Sequence, residues 1–505
     1  MAAMTESDDS KSKIGRDRWM VLITVIVGTF LGRLDQTVVN LALPDIITDF
    51  KITVTSAGWI ATAYILANAI FVPIWGKLGD TIGRKKVYLW GFGIFIFGSV
   101  LAGFAWNLSS MIIFRVIQAV AGSADYPTAM AILAVTFPDG KERAQALGIW
   151  SSSFAAAVVF GPLIGGPLID NFGWRSVFLI NLPIGIIGVI MALTYIHESV
   201  SEKKATHFDW WGAILLGISL GALVLVLDKG MSWGWLAWES LASYAISLLS
   251  LALFIAVEKN HPEPIVDFKF FKESVFTNTL VNNFIVFMAM MGSVFLIPIF
   301  AQTYLGYDAT QTGYLFIPMA FAIVLVAPLG GSLTGKVQPR YVIALSTLVA
   351  AVGLYMFTGI DARSHATDII IPMVVMALGI GFGMAQRTNI IATVVPPQEI
   401  GIASSILALA RNIAGAFGIA VFGTILNNST ESKILEIARY SSLRAFDQTH
   451  LTQFTSLIIL KAQIEAYRTV FFVASVIIFV GALLALMIIA KEEIEPGGEE
   501  ILIMD

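Results

Sequence analysis

Five ionisable residues lie deep within apolar stretches of this chain: Arg33, Asp35, Arg115, Asp125 and Arg411. A charge at the centre of a bilayer costs about 2.5–3.5 kcal/mol on insertion scales, so such residues persist where they pair, face water or perform a function. A buried aspartate without a partner is driven towards its neutral acid, whereas a nearby arginine favours the carboxylate. A carboxylate whose neighbour changes can therefore take up and release a proton with no covalent chemistry. Arg33, Gln36, Thr37 and Asn40 fall at i, i+3, i+4 and i+7, one polar helix face suited to lining a cavity. Asp35 points roughly the other way, towards a neighbouring helix.

The elements that carry these groups follow from composition. Of 505 residues, 57% are hydrophobic and 13% charged, with mean hydropathy +0.80. Globular domains carry about 25% charged residues, so much of this apolar surface must face lipid. Runs long enough to span give fourteen transmembrane helices: 19–43, 56–76, 87–105, 109–135, 145–167, 175–196, 208–228, 240–258, 274–303, 311–334, 339–360, 368–387, 400–426 and 466–490. An even count puts both termini on one side. The short loops of the opposite side hold few basic residues (Lys51, Arg175, Lys229 and Arg363), which predicts cytoplasmic N- and C-termini.

With that orientation Asp35 lies eight residues below the outer end of the first span, and Arg115 six residues below the start of the fourth. The two depths differ by roughly 3 Å at 1.5 Å per residue, which allows a pair. Asp125 is deeper, near midplane, with Arg33 about 9 Å above it and within reach of a long side chain. No acid lies deep in the later spans, whose polar groups include Asn282, Asn283, Arg411 and Asn412. The stretch Phe284 to Met291 is rich in methionine and phenylalanine, a combination that repacks around varied shapes.

The chain repeats itself. Gly58-Trp59, Pro73, Gly76, Leu78, Lys85 and Val87 recur 255 residues on as Gly313-Tyr314, Pro328, Gly331, Leu333, Arg340 and Val342. Gly148-Ile149 and Ser151-Ser152 recur at Gly401-Ile402 and Ser404-Ser405. An all-α membrane protein of two related six-helix bundles is expected, with an inserted helix pair between them. The boundaries read 1–18 (N-terminal tail), 19–200 (first bundle), 201–273 (inserted pair), 274–490 (second bundle) and 491–505 (C-terminal tail).

Four motifs add detail. Gly76, Asp80, Gly83 and Arg84 stand in a tight basic loop after the second span, where the glycines permit the turn. Arg115 opens Arg-x-x-Gln followed by Gly122. The fifth span carries Gly148, Gly161, Pro162 and Gly165, small residues for close helix approach around a kinking proline. The first span reads Leu34 to Pro44, with Asp35 and Asn40 inside it. Together these resemble the major facilitator superfamily, and in particular its fourteen-span drug:proton antiporters of the multidrug efflux type. The resemblance implies that Gly76, Asp80, Gly83 and Arg84 gate the cytoplasmic side. It also implies the pairing of Asp35 with Arg115, and that the fifth-span glycines mark an exporter; as the acids deep in the spans, Asp35 and Asp125, with Arg115, are expected to serve proton coupling. Ala119 and Ala157 replace glycines usual in the family, and Gly335 stands where a second copy of Asp80 would be.

The expected function is export of lipophilic or amphiphilic small molecules in exchange for protons across the cell membrane, by a monomer surrounded by membrane lipid. With three mid-span arginines against two aspartates, an anionic or lipid-like amphiphile is the alternative cargo. No cysteine is present, which removes thiolate metal sites and cysteine nucleophiles, and no basic tract suits nucleic acid. An embedded enzyme would need a motif such as His-Glu-x-x-His or Gly-x-Ser-x-Gly, and neither occurs; no cofactor or metal is expected. A channel or non-transporting receptor would not accumulate substrate against a gradient.

Overall fold

The computed structural model describes residues 2–137, 140–199, 209–262, 264–333, 337–394, 400–440 and 448–488. The C-terminal tail 491–505 and the linker 201–208 lie outside them, as do the side chains of Asp80 and Pro162 and the surroundings of Gly76 and Gly148. The described chain is helical throughout: α1 Ala2–Phe50, α2 Val54–Ile82, α3 Arg84–Gly103, α4 Leu108–Gly122, α5 Asp125–Thr136, α6 Gly140–Phe172, α7 Ser176–Leu179, α8 Asn181–Tyr195, α9 Trp210–Trp233, α10 Trp238–Asn260, α11 Ser274–Tyr304, α12 Ala309–Ser332, α13 Pro339–Met356, α14 Ala366–Thr393, α15 Ile400–Tyr440 and α16 Gln448–Ala485.

Twelve segments among the described residues are long and apolar enough to cross a membrane. The path α4–α5 and the 33-residue α6 complete fourteen crossings. The fourth crossing is broken rather than continuous. Pro127 has no N–H to give the carbonyl of Ser123, so the chain turns at Ser123-Ala124 and restarts with Asp125 in the first turn of α5. Pro183 does the same between α7 and α8. Two of the turns between crossings are short and capped: Thr53 Oγ1 accepts from Ser56 N at 3.1 Å, and Asn107 with Ser110 forms a reciprocal cap on α4.

Helices α1–α8 pack as one six-span bundle and α11–α16 as another. They meet through α6 on α12, α2 on α15 and α1 on α11, while the pair α9–α10 sits outside against α2 and α15. On that pair Trp211, Trp238, Leu248 and Leu249 are exposed, as lipid-facing side chains are.

One expectation needs correcting. Residues 427–465, left between the last two expected spans, are, where described, helical extensions of α15 and α16. At 41 residues α15 is about 60 Å long, twice the roughly 30 Å hydrocarbon layer. Lys433 joins its arms, 2.8 Å from Glu436 and 3.7 Å from Glu465.

Candidate functional site

Asp35 and Arg115 meet. Arg115 Nη1 donates to Asp35 Oδ2 at 2.5 Å and to Gln118 Oε1 at 2.6 Å. Asp35 Oδ1 accepts from Gln118 Nε2 at 2.9 Å and from Asn181 Nδ2 at 2.8 Å. Asn181 also donates to Ser99 Oγ at 2.8 Å, and Ser99 to the Phe178 carbonyl. Close helix approach makes this possible, since a Cβ on Gly98 would lie 2.9 Å from Gln118 Cα. The cluster is dry: Asp35 is 1% exposed and Arg115 2%. The Tyr64 ring covers the guanidinium at 4.0 Å, and its other side faces a central cavity.

That cavity, about 330 Å³, lies between the bundles and is of the size that holds a small molecule. Arg33, Gln36, Asn68 and Asp125 line its first-bundle wall; Phe287, Met291, Met384, Arg411 and Asn412 line the other. Asp125 owes its place to the break in the fourth crossing. Its Oδ2 accepts from Thr29 Oγ1 at 2.7 Å, and Thr29 accepts from Trp150 Nε1 at 2.9 Å. Its Oδ1 is buried and accepts no hydrogen bond. Arg33, which donates to Gln36 Oε1 at 3.2 Å, is within electrostatic reach of Asp125.

Not every residue of the polar face of α1 reaches the cavity. Arg33 and Gln36 do; Thr37 and Asn40 are not among its lining residues. Thr37 is turned onto α6, its hydroxyl donating to the Leu34 carbonyl at 2.9 Å and the Ala157 carbonyl at 3.4 Å. The glycines of α6 press α1 there. A Cβ on Gly161 would lie 2.9 Å from Thr37 Cβ, and one on Gly165 3.0 Å from Val38 Cγ2.

In the second bundle Arg411 Nε donates to Asn283 Oδ1 at 3.3 Å and Nη2 to Thr388 Oγ1 at 3.1 Å. Arg387, which the sequence reading passed over at the edge of a run, is 1% exposed. Its Nε donates to Asn282 Oδ1 and its Nη2 to Thr347 Oγ1, both at 2.7 Å. Asn282 and Asn283 thus hold arginines and are not among the cavity's lining residues. Asn181 was likewise missed, and its only signal is the phrase Asn181-Leu182-Pro183 at a helix start.

The two ends of the bundle differ. At the end opposite the termini, Asp170 of α6 caps α12: Oδ1 accepts from Ala309 N at 3.0 Å, Oδ2 from Thr310 N at 2.9 Å and from the Thr310 hydroxyl. Gln302 Nε2 donates to the Leu41 carbonyl at 2.9 Å, and Gly58 packs on Ile419. At the terminal end Gly83 has φ 113°, and Glu198 accepts from Lys85 N at 3.0 Å and Lys86 N at 3.3 Å, capping α3. Arg84 Nη1 donates to the Ala131 carbonyl at 3.4 Å.

Two helical bundles around a largely apolar cavity that carries a few charged side chains, latched at one end, define a membrane transporter. The profile of the Major Facilitator Superfamily matches residues 25–419, and the chain belongs to that family. Multidrug resistance protein Stp of Mycobacterium tuberculosis is 31% identical over 413 residues, 82% of this chain and 76% of its own. Multidrug transporter protein MdtP of Bacillus subtilis is 32% identical over 422 residues, 82% and 77% of the two chains. A solved bacterial homologue of the human lysosomal transporter Spinster, inward-facing and unoccupied, shares the fold with a TM-score of 0.69. Its identity is 17%, over 94% of this chain and 97% of its own.

Proposed function

We propose that this protein is a proton-coupled exporter of lipophilic or amphiphilic small molecules, of the multidrug efflux type, acting as a monomer in the cell membrane. The observation that carries this reading is Asp125. It is a carboxylate in the wall of the inter-bundle cavity with one buried oxygen that accepts no hydrogen bond. That oxygen is the place for a proton to come and go. Asp35, by contrast, has both oxygens occupied by donors, one of them the Arg115 guanidinium, which ties α1 to α4.

The basic loops put both termini in the cytoplasm. The latched end is then the outer one, and the cavity belongs to an inward-facing state. Substrate enters from the cytoplasmic side, the bundles rock about the cavity, and the Asp170 latch opens to release it. Protonation of Asp125 from outside resets the carrier. Gly76, Asp80, Gly83 and Arg84 form the cytoplasmic gate, which Glu198 anchors through the start of α3.

The experiment is efflux in everted vesicles with an imposed proton gradient and a panel of lipophilic dyes. Collapse of the gradient with an ionophore abolishes uphill transport. Export that continues and follows sodium or ATP refutes proton coupling.

A further inference from the structure

The wall contributed by the second bundle is built to give hydrogen bonds. Arg411 reaches the cavity from α15 with its guanidinium 5.0 Å from the centre of the Phe287 ring. Both its hydrogen-bond acceptors, Asn283 Oδ1 and Thr388 Oγ1, are neutral, and no acid among the described residues pairs with it. Arg387 stands behind it within electrostatic reach, also with neutral acceptors alone. Arg387 Nη1 and Asn283 Nδ2 are buried donors with no acceptor. A guanidinium held out of water without a counter-charge is costly, and a bound acid group relieves that cost while making strong charge-assisted hydrogen bonds.

The facing wall has the opposite character. Asp125 is the carboxylate among the lining residues, and the neighbouring Tyr126 is within electrostatic reach of Arg411. Phe287, Met291, Met384 and Leu409 give the cavity an apolar and adaptable surface beside these charges.

We propose that the cavity takes amphoteric amphiphiles: an acid group seated at Arg411, a basic group towards Asp125, and an apolar body along the Met291 and Met384 surface. The inference rests on the export reading and names its substrate class. It also joins binding to proton exchange. A basic group and a proton compete for the same carboxylate, whereas the acid group at Arg411 binds in either case. The titratable groups facing Asp125 are Arg33 from α1, Tyr88 from α3 and Tyr126 on its own helix. Asp125 is the carboxylate among them.

The test uses three probes with one naphthyl body: naphthylalanine (amphoteric), naphthylpropionate (acid alone) and naphthylethylamine (base alone). Each is titrated by equilibrium dialysis into the purified full-length protein in nanodiscs. Naphthylalanine binds about tenfold more tightly than either of the others. Arg411→Gln weakens the two acid-bearing probes about tenfold more than it weakens the amine, and Arg411→Lys recovers part of that loss. Acidification weakens binding of the amine-bearing probes in the wild type and has no such effect in Asp125→Asn. The amine binding as tightly as naphthylalanine, a uniform loss for all three probes in Arg411→Gln, or no binding of naphthylalanine overturns the proposal. The vesicle assay keeps the two readings apart. Ionophore-sensitive export of the amine with no preference for an acid group overturns the substrate class alone; no ionophore-sensitive export of any probe overturns the export reading itself.

Discussion

Removing the charge of Asp35 strands a buried cation, and the size of the effect follows from the hydrogen bonds. Asp35 accepts from Arg115, Gln118 and Asn181 through its two oxygens. Asp35→Asn keeps one acceptor. If it faces Gln118 and Asn181, the new amide N–H₂ confronts the Arg115 guanidinium. If it is flipped, the N–H₂ confronts two amide donors instead. Either way Arg115, 2% exposed, loses its counter-charge. Breaking a buried pair from one side costs about 3–5 kcal/mol. Arg115→Gln leaves the aspartate equally stranded, with only amide donors to hold it. In the double variant the introduced amides can bond to each other, and no charge is left buried. The double variant is therefore expected to be more stable than either single one, which requires a coupling energy at least as large as a single loss, about 3–5 kcal/mol. The assay is reversible unfolding in mixed detergent micelles, run as a double-mutant cycle. Losses that add to within about 0.5 kcal/mol would show that the pair is not a unit.

Three further outcomes are expected. Asp170→Ala removes the cap that α6 places on α12, worth about 1 kcal/mol, and shifts the balance between closed and open states of the latched end about fivefold. The chain has no cysteine, so a single Thr55→Cys reports the opening from α2, where the Thr55 hydroxyl meets the Gly423 carbonyl of α15 at the same end; unchanged labelling by an impermeant maleimide contradicts the latch. Gly165→Val drives side-chain atoms into Val38 and separates α6 from α1, so transport falls at least tenfold with the protein still inserted; full activity in vesicles would mean that the approach is not needed. Asp125→Glu keeps a titratable group about one methylene away and retains partial proton-driven export, whereas Asp125→Asn retains none; equal export by the two variants removes the carboxylate from the mechanism.

Hydropathy is written directly into the sequence because lipid admits only long apolar helices, and the fourteen crossings were legible for that reason. Depth along a helix is nearly as legible, since rise per residue is constant, and it put Asp35 level with Arg115. Rotation was harder. Periodicity grouped Arg33, Gln36, Thr37 and Asn40, but the cavity takes only the first two, because the α6 glycines claim the flank with Thr37. A helix face is shared out among neighbours that one helix cannot reveal. Arg387 was hidden by position, at the end of an apolar run where a cation ordinarily reaches water. Its burial depends on Asn282 and Thr347, from two other helices. The cap by Asp170 joins residues 139 apart in sequence. The helical extensions of α15 and α16 beyond the expected spans were not legible, because their polarity rules out lipid but does not rule out helix.

Proton exchange through Asp125 is most directly tested in proteoliposomes with a pH-sensitive dye sealed in the lumen. Vesicles are preloaded with a transported substrate and diluted into substrate-free buffer at equal pH. In the wild type, substrate leaving draws protons inward and the lumen acidifies; with Asp125→Asn the lumen pH stays level and the substrate is not exchanged for protons. A wild-type lumen that holds its pH while substrate leaves, or an Asp125→Asn protein that acidifies it as fast as the wild type, would contradict the account.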